Sequence, residues 1–288
     1  MKQHRKKYTA MLLALCAALN LTACGGSGGN GGSGDSGGSG KDPLAAAMEN
    51  MSKVESMDAK MVMEMDMTAG DQTLETVTTI DTSLFTEPMR MKVDMTMDMS
   101  GYGDASMEIY AEEAEDGTLV MYQYDGMDWS TQNVTTDDLV QYDVSGSMDA
   151  YIACASDFKQ EGTEQVGGVS AYKYTGVITG DSMQDVMMSS GALDSLGTQM
   201  NMDEAQMEEL LSGDIAVTLW IDEENLYPVQ YDMDMTEVMD GLMGKILEAA
   251  GDDAAGLTMS IPKMTISMTC GNFNSATDFT IPEEAKNA

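Results

Sequence analysis

The sequence predicts a mainly β chain of the α+β class, built from antiparallel strands with a few short helices. Three observations carry that expectation. Apolar and polar residues alternate with a period of two in segment after segment, as in Met61, Met63, Met65 and Met67 against Lys60, Glu64, Asp66 and Thr68. That period puts successive side chains on opposite faces of a half-buried strand. The alternating segments are separated by turn residues such as Gly70-Asp71, Gly101-Tyr102-Gly103 and Gly167-Gly168, which join antiparallel neighbours. Helical spacing is confined to a few stretches, each announced by a capping residue.

Asp42-Pro43 opens the first helix, with Asp42 as N-cap and Pro43 at the first helical position. Leu44, Ala47, Met48, Met51 and Val54 share one face of it. Strands follow over 58–68 and over 72–83, the second carrying Leu74, Thr76, Thr78 and Ile80. A third, over 89–100, sets Met91, Val93, Met95, Met97 and Met99 against Lys92, Asp94, Thr96 and Asp98. Residues 106–111, 118–124 and 128–132 extend these to a meander of about six strands.

Residues 136–142 and 147–155 read as helices, and strands resume over 163–166 and 170–179. Two capping boxes, Asp181 to Gln184 and Asp203 to Gln206, start short helices on either side of a poorly patterned stretch, 189–201. A strand over 214–222 carries Ile215, Val217, Leu219 and Ile221 on one face. Glu223-Glu224-Asn225 turns it, and Tyr227, Val229, Tyr231, Met233 and Met235 line the return. Thr236 is placed to cap a helix with Val238, Leu242 and Ile246 that ends at Gly251. A last strand over 257–269 holds Met259, Ile261, Met264, Ile266 and Met268, and its Pro262 implies an edge or a bulge. Nothing marks a second domain, so residues 43–288 read as one.

The N-terminus carries a separate message. Lys2, Arg5, Lys6 and Lys7 precede a short apolar run over 11–19, the pattern of a secretory signal peptide covering residues 1–23. The run is shorter than the roughly 20 residues that a spanning helix needs. Leu21-Thr22-Ala23-Cys24 resembles the bacterial lipobox. The resemblance implies a diacylglyceryl group on Cys24, which becomes the first residue of the mature chain. Residues 24–42 are then the lipidated cysteine and its tether. The glycine-serine run over 25–40 is a flexible coil with a reach of roughly 20–25 Å. It is not a phosphate loop, because no strand precedes it and no Gly-Lys-Ser/Thr follows.

Composition narrows the function. The 288 residues carry 14 Lys and Arg against 49 Asp and Glu. Loss of residues 1–23 takes four cations and no acid, leaving ten against 49, a net charge of −39. That field repels nucleic acid. The only histidine is His4, inside the signal. A mature chain without histidine has no Ser-His-Asp or Cys-His triad and no histidine-ligated metal. A non-enzyme with no cofactor is expected. Of the four cysteines, Cys154 and Cys270 remain after Cys16 and Cys24 are set aside, and they either pair or stay as two buried thiols.

The order of these segments, with Leu219-Trp220-Ile221-Asp222, Leu226-Tyr227-Pro228-Val229 and a closing Phe279 to Pro282, resembles the LolA/LppX-like group of bacterial lipoproteins. That group includes domains of unknown function on Gram-positive lipoproteins. The resemblance spans about residues 43–285, and the Trp-Ile-Asp to Tyr-Pro-Val hairpin is its most specific part. It implies a strongly curved antiparallel sheet forming an open half-barrel, with helices on the concave side and a cavity for acyl chains or lipidated proteins. The methionine excess and extreme acidity depart from that pattern.

Methionine is the compositional oddity, 31 residues against four Phe and two Trp. The methionine faces have three readings: an ordinary core, a cavity lining for a lipid-like ligand, or soft thioether sites for Cu(I). Strand alternation accounts for Met-x-Met without a metal. The candidate cavity-lining residues are Met61, Met63, Met65, Met91, Val93, Met95, Met97, Ile215, Val217, Leu219, Tyr231 and Met233. Trp129 and Trp220 are further candidates for ligand contact, or else cover a sheet edge. The whole describes an extracytoplasmic monomer, held to the outer face of the cell membrane through Cys24, that takes a lipid or lipidated ligand. A surface interaction module with a filled core is the alternative.

Overall fold

The alternating segments become the eleven strands of one antiparallel sheet in the computed structural model, which describes residues 42–114, 116–134, 155–180, 213–250 and 258–288. The strands are β1 (Ser56–Ala69), β2 (Gln72–Thr86), β3 (Met89–Met99), β4 (Gly103–Glu113), β5 (Leu119–Tyr124), β6 (Trp129–Val134), β7 (Ala155–Val166), β8 (Val169–Ile178), β9 (Ile215–Asp222), β10 (Pro228–Asp234) and β11 (Met259–Gly271). Three helices are described: α1 (Pro43–Met51), α2 (Thr236–Ala250) and α3 (Glu283–Lys286). The strand order is β6-β5-β4-β3-β2-β1-β11-β10-β9-β8-β7, so the sheet does not close. The six-strand meander read from the sequence is its first half.

Register puts the alternation to use. Met61 faces Ile80 on β2 and Met268 on β11, and Ile80 faces Met95 on β3. Opposed residues share a face, so the methionine columns of β1 and β3 lie on the same side of the sheet. That side is the inner face. It carries no charged residue on β1, β2, β3, β8, β9, β10 or β11. Lys60, Glu64, Asp81, Lys92, Asp94 and Lys263 all point to the outer face. There, exposed pairs such as Lys60–Asp81, 2.9 Å, each contribute little.

Both longer helices pack on the inner face. Ala47 and Met51 of α1, with Val238, Met239, Leu242 and Met243 of α2, join one cluster with Met63, Met264, Tyr231 and Leu219. Asp42 caps α1 as expected, its carboxylate accepting from Leu44 N at 3.3 Å. Asn50 Nδ2 donates to the carbonyls of Asn225 and Leu226, each at 3.1 Å, and pins α1 to the β9–β10 turn. Thr236 does something other than cap. It is the first residue of α2, and its hydroxyl accepts from Met264 N at 3.0 Å, docking the helix start on β11. Asp234 Oδ1 accepts from Thr236 N at 3.0 Å instead.

Pro262 lies in a central strand, not at an edge, and its bulge is real. Asp66 pairs with Lys263 and Thr68 with Ser260, so Met67 alone faces Ile261 and Pro262. On the other side of β11, pairing to β10 stops at Asp234, and Asp240 of α2 accepts from Ile261 N at 2.8 Å. A helix carboxylate replaces the missing strand. β7 begins at Ala155, eight residues earlier than the sequence suggests, so the end of the expected 147–155 helix is strand. The ring of Phe158 lies over Gly176, where an added Cβ would stand 2.9 Å from it. The remaining helix readings between β6 and β9, and the whole N-terminal leader and tether, lie outside the described residues.

The C-terminal residues form a strap on the outer face. Asp58 receives Ser83 Oγ at 2.8 Å, Asn272 Nδ2 at 2.7 Å and Thr277 Oγ1 at 2.7 Å. Arg90 Nη2 donates to Phe279 O at 2.6 Å, with the guanidinium 4.6 Å from the Phe279 ring centroid. Ile281 and Ala285 then bury against Tyr110 and Tyr122, and Thr131 Oγ1 donates to Ala285 O at 3.1 Å. Partial burial pushes the Asp58 carboxyl up, but the bonds from Asn272, Thr277 and Ser83 outweigh it and hold it below the ordinary carboxylate range. A depressed folded pKa stabilises above the unfolded value, near 3.9, and that gain is lost as pH falls through the folded value. Asp58→Asn should therefore melt earlier than wild type at pH 7, and the gap should narrow below about pH 4, as read by thermal unfolding at several pH values. A gap that persists unchanged at pH 2–3 would contradict the clamp.

Candidate functional site

Every cavity-lining residue chosen from the sequence falls on the inner face. They divide between two clusters. Met63, Met65, Ile215, Val217, Leu219, Tyr231 and Met233 belong to the larger, under α1 and α2, with Met61 packed at its border. Met91 and Val93 belong to the smaller, with Ile109, Ala111 and Met121. No residue of a described helix belongs to this second cluster. Met95 and Met97 stand between the two on β3, opposite Ile80 and Thr78.

The strand that separates the clusters is β2, and its inner column reads Leu74, Thr76, Thr78, Ile80, Thr82 and Leu84. The columns on either side are Met67, Met65, Met63, Met61 and Ala59 on β1, and Met99, Met97, Met95 and Val93 on β3. Short threonines thus run between long thioethers. Thr76 and Thr82 are each 5% exposed, and neither hydroxyl has a hydrogen-bond partner among the described residues. A buried hydroxyl left unpaired costs about 1–3 kcal/mol, so these two positions call for a partner that is a water or a ligand. The Tyr174 hydroxyl on β8 is a third such group.

Exposure is uneven on this face. Met61, Ile80, Met95 and Met107 form one row across β1, β2, β3 and β4, and all four are half-buried. On β1–β3 the rows on either side are buried, Met63-Thr78-Met97 above and Ala59-Thr82-Val93 below, and on β4 Ile109 is buried while Ala105 is exposed. Gln123 Nε2 donates to Met107 Sδ at 3.1 Å where the row ends. Ile80, Met107, Thr76 and Thr82 were not singled out as site residues from the sequence. Their signal is the register, which no single segment contains.

Burial shapes the chemistry of the titratable groups here. The Cys270 thiol, beside Ala59 on the inner face, is free and pushed up to about 12 by burial. Cys154 lies outside the described residues. The Tyr174 hydroxyl is also pushed up to about 12, by burial first and then by the charges of Asp42 and Tyr172. Asp42, the N-cap of α1, thus lies near the inner face. Trp129 and Trp220 do not form a pair. Both are on the outer face, Trp129 against Tyr110 at 5.9 Å between ring centroids, and Trp220 under Lys173 and bonded to Glu164. Among the described residues no group of histidine, cysteine, aspartate and glutamate is placed to hold a metal ion. No described helix is long and apolar enough to cross a membrane.

Residues 41–288 match the model of a family of unknown function, DUF6612. No curated protein matches the chain. Among solved structures it is similar to the lipoprotein LppX of Mycobacterium tuberculosis, at 14% identity and a TM-score of 0.43 over 83% of this chain and 98% of that one. It is also similar to LprF from Mycobacterium bovis, at 12% identity and a TM-score of 0.46 over 84% of this chain and 95% of that one.

At pH 8 a thiol reagent should leave Cys270 untouched in the native Cys24→Ser, Cys154→Ser protein and modify it once urea unfolds the sheet. Native-state modification at the rate of an ordinary exposed thiol would contradict the buried inner-face position.

Proposed function

The chain belongs to the family DUF6612, and we propose that it is a lipid-anchored extracytoplasmic protein that binds a hydrophobic, lipid-like ligand on its inner face. The observation that carries this reading is the inner face of β1–β4. It is apolar, uncharged on β1–β3, bordered by a sheet that does not close, and holds buried hydroxyls without partners. A core that exists only to be filled has no use for those hydroxyls. Methionine suits a face that must admit shapes it was not moulded to, because its unbranched thioether repacks at small cost. The lipobox-like Leu21-Thr22-Ala23-Cys24 and the glycine-serine tether would keep this face within roughly 20–25 Å of a membrane surface. Asp42, at the end of the tether, lies on the same side as the site.

The alternative, an interaction module with a full core, is favoured by one observation: under α1 and α2 the face is packed, with Leu219, Tyr231 and Ile261 wholly buried. Organic extraction of the protein purified without detergent, followed by mass spectrometry, separates the two. The binding reading expects a stoichiometric lipid-like species. Its absence, together with no uptake of the apolar dye N-phenyl-1-naphthylamine, would overturn that reading. Cys24→Ala should abolish acyl labelling and release the chain from membranes or leave it unprocessed. Membrane retention without labelling would overturn the anchor.

A further inference from the structure

We infer that Met99 is a modification site: hydrogen peroxide converts its thioether to a sulfoxide, and the buried Thr76 hydroxyl donates to the sulfoxide oxygen. The inference goes beyond the binding reading and needs no ligand. Thr76 is 5% exposed, and its hydroxyl has no hydrogen-bond partner among the described residues. It stands on the inner face between Met65 of β1 and Met99 of β3. These two neighbours are not equivalent. Ser100 N donates to Glu75 O at 2.9 Å, so Glu75 and Ser100 form a hydrogen-bonded pair. Pairs alternate along an antiparallel ladder, which makes Thr76 and Met99 a non-hydrogen-bonded pair, the kind whose side chains stand closest. Met65 is buried and Met99 is half-buried. The hydroxyl is therefore set beside the one methionine of the two that solvent reaches.

Met99 is reached from the β4 side. Its partner there is Gly103, and a Cβ at Gly103 would meet no atom within 4 Å. Ala105, the next inner-face residue of β4, is exposed. β5 pairs with β4 only from Glu108 to Glu113, so among the described residues no strand lies beyond residues 103–107. Hydrogen peroxide is small and uncharged, so the negative field of the chain does not repel it. The sulfur lone pair attacks one peroxide oxygen as the O–O bond breaks. A sulfur–oxygen bond forms, and the other oxygen leaves as water with both protons. Sulfur is oxidised by two electrons and the peroxide is reduced by two. A thioether is a weak acceptor. The sulfoxide is polar, and on an apolar face its oxygen needs a donor. The Thr76 hydroxyl is that donor, and the same contact relieves its own unpaired state. Met61 and Met95 are also half-buried, but both face Ile80, which offers no hydroxyl. Met127, 78% exposed in the β5–β6 turn, has solvent as its donor and is the internal reference for an unshielded methionine.

The test is hydrogen peroxide treatment of the Cys24→Ser, Cys154→Ser protein, followed residue by residue by peptide mass spectrometry, with thermal unfolding before and after. Met127 should oxidise first. Met99 should form its sulfoxide at least roughly tenfold faster than Met65. Thr76→Val removes the donor. At a matched extent of Met99 oxidation, and measured against its own unoxidised form, the melting temperature of this variant should fall by about 2–4 °C more than that of the parent. The extra loss should be absent in Thr76→Ser, which keeps the hydroxyl, and in Thr76→Val combined with Met99→Leu, which has no thioether there. Thr76→Ala takes the place of the valine variant if that chain does not fold. Oxidation of Met99 no faster than of Met65, or an equal loss with and without the Thr76 hydroxyl, overturns the inference. No ligand enters the measurement, so its failure leaves the binding reading standing, and a chain that carries no lipid leaves this inference untouched.

Discussion

The pairing of β1 with β11 is the interaction on which the rest depends. It runs from Asp58 opposite Gly271 to Asp66 opposite Lys263 and joins the N-terminal meander to the C-terminal strands. Without it the chain holds two smaller sheets, each with an exposed edge. With it, Met61, Met63 and Met65 continue directly into Met268, Ile266 and Met264, and one apolar face spans both halves. A slip of one residue would turn every one of those side chains to solvent. The bulge at Ile261-Pro262 marks where that register gives way, and Asp240 covers the strand where β10 leaves it. The pairing closes a loop of most of the domain, which costs chain entropy.

The two faces of this sheet serve different ends. The inner face is held by burial alone on most strands, and its polar atoms are few and partly unsatisfied. The outer face takes the charge, and on β3–β6 it takes a second layer as well. The C-terminal strap is stitched from Asp58 through Arg90 to Thr131, crossing from β1 to β6. It leaves the inner face of β3–β5 untouched, so the meander is braced from behind. A ligand-binding face gains from that arrangement, because its stability does not rest on filling the site.

Much of the architecture was legible in local pattern. Period-two alternation located most of the strands, and Asp42-Pro43 located α1. The residues chosen from the alternation share one face of the sheet. Two readings needed correction, and a third was resolved between its two alternatives. Thr236 spends its hydroxyl on β11 in place of capping α2, because the neighbouring Asp234 is free to accept its N–H. Pro262 sits in the middle of the sheet at the bulge it implied, and Asp240 accepts the N–H of the adjacent Ile261. β7 starts at Ala155, in a stretch whose polar residues hide a strand that pairs with β8.

Sequence by itself determined the local quantities: which segments are strands and which of their residues share a face. These follow from one-dimensional periodicity and composition, because a strand's two faces are fixed by its own alternation. Only the tertiary structure decided which columns lie side by side. The threonine column of β2 between two methionine columns, the half-buried row from Met61 to Met107, and the facing of Asp98 and Asp104 exist only once register is set. Register is a non-local choice among strands that look alike, and so it is written in the packing of the whole sheet and in no single stretch of the chain.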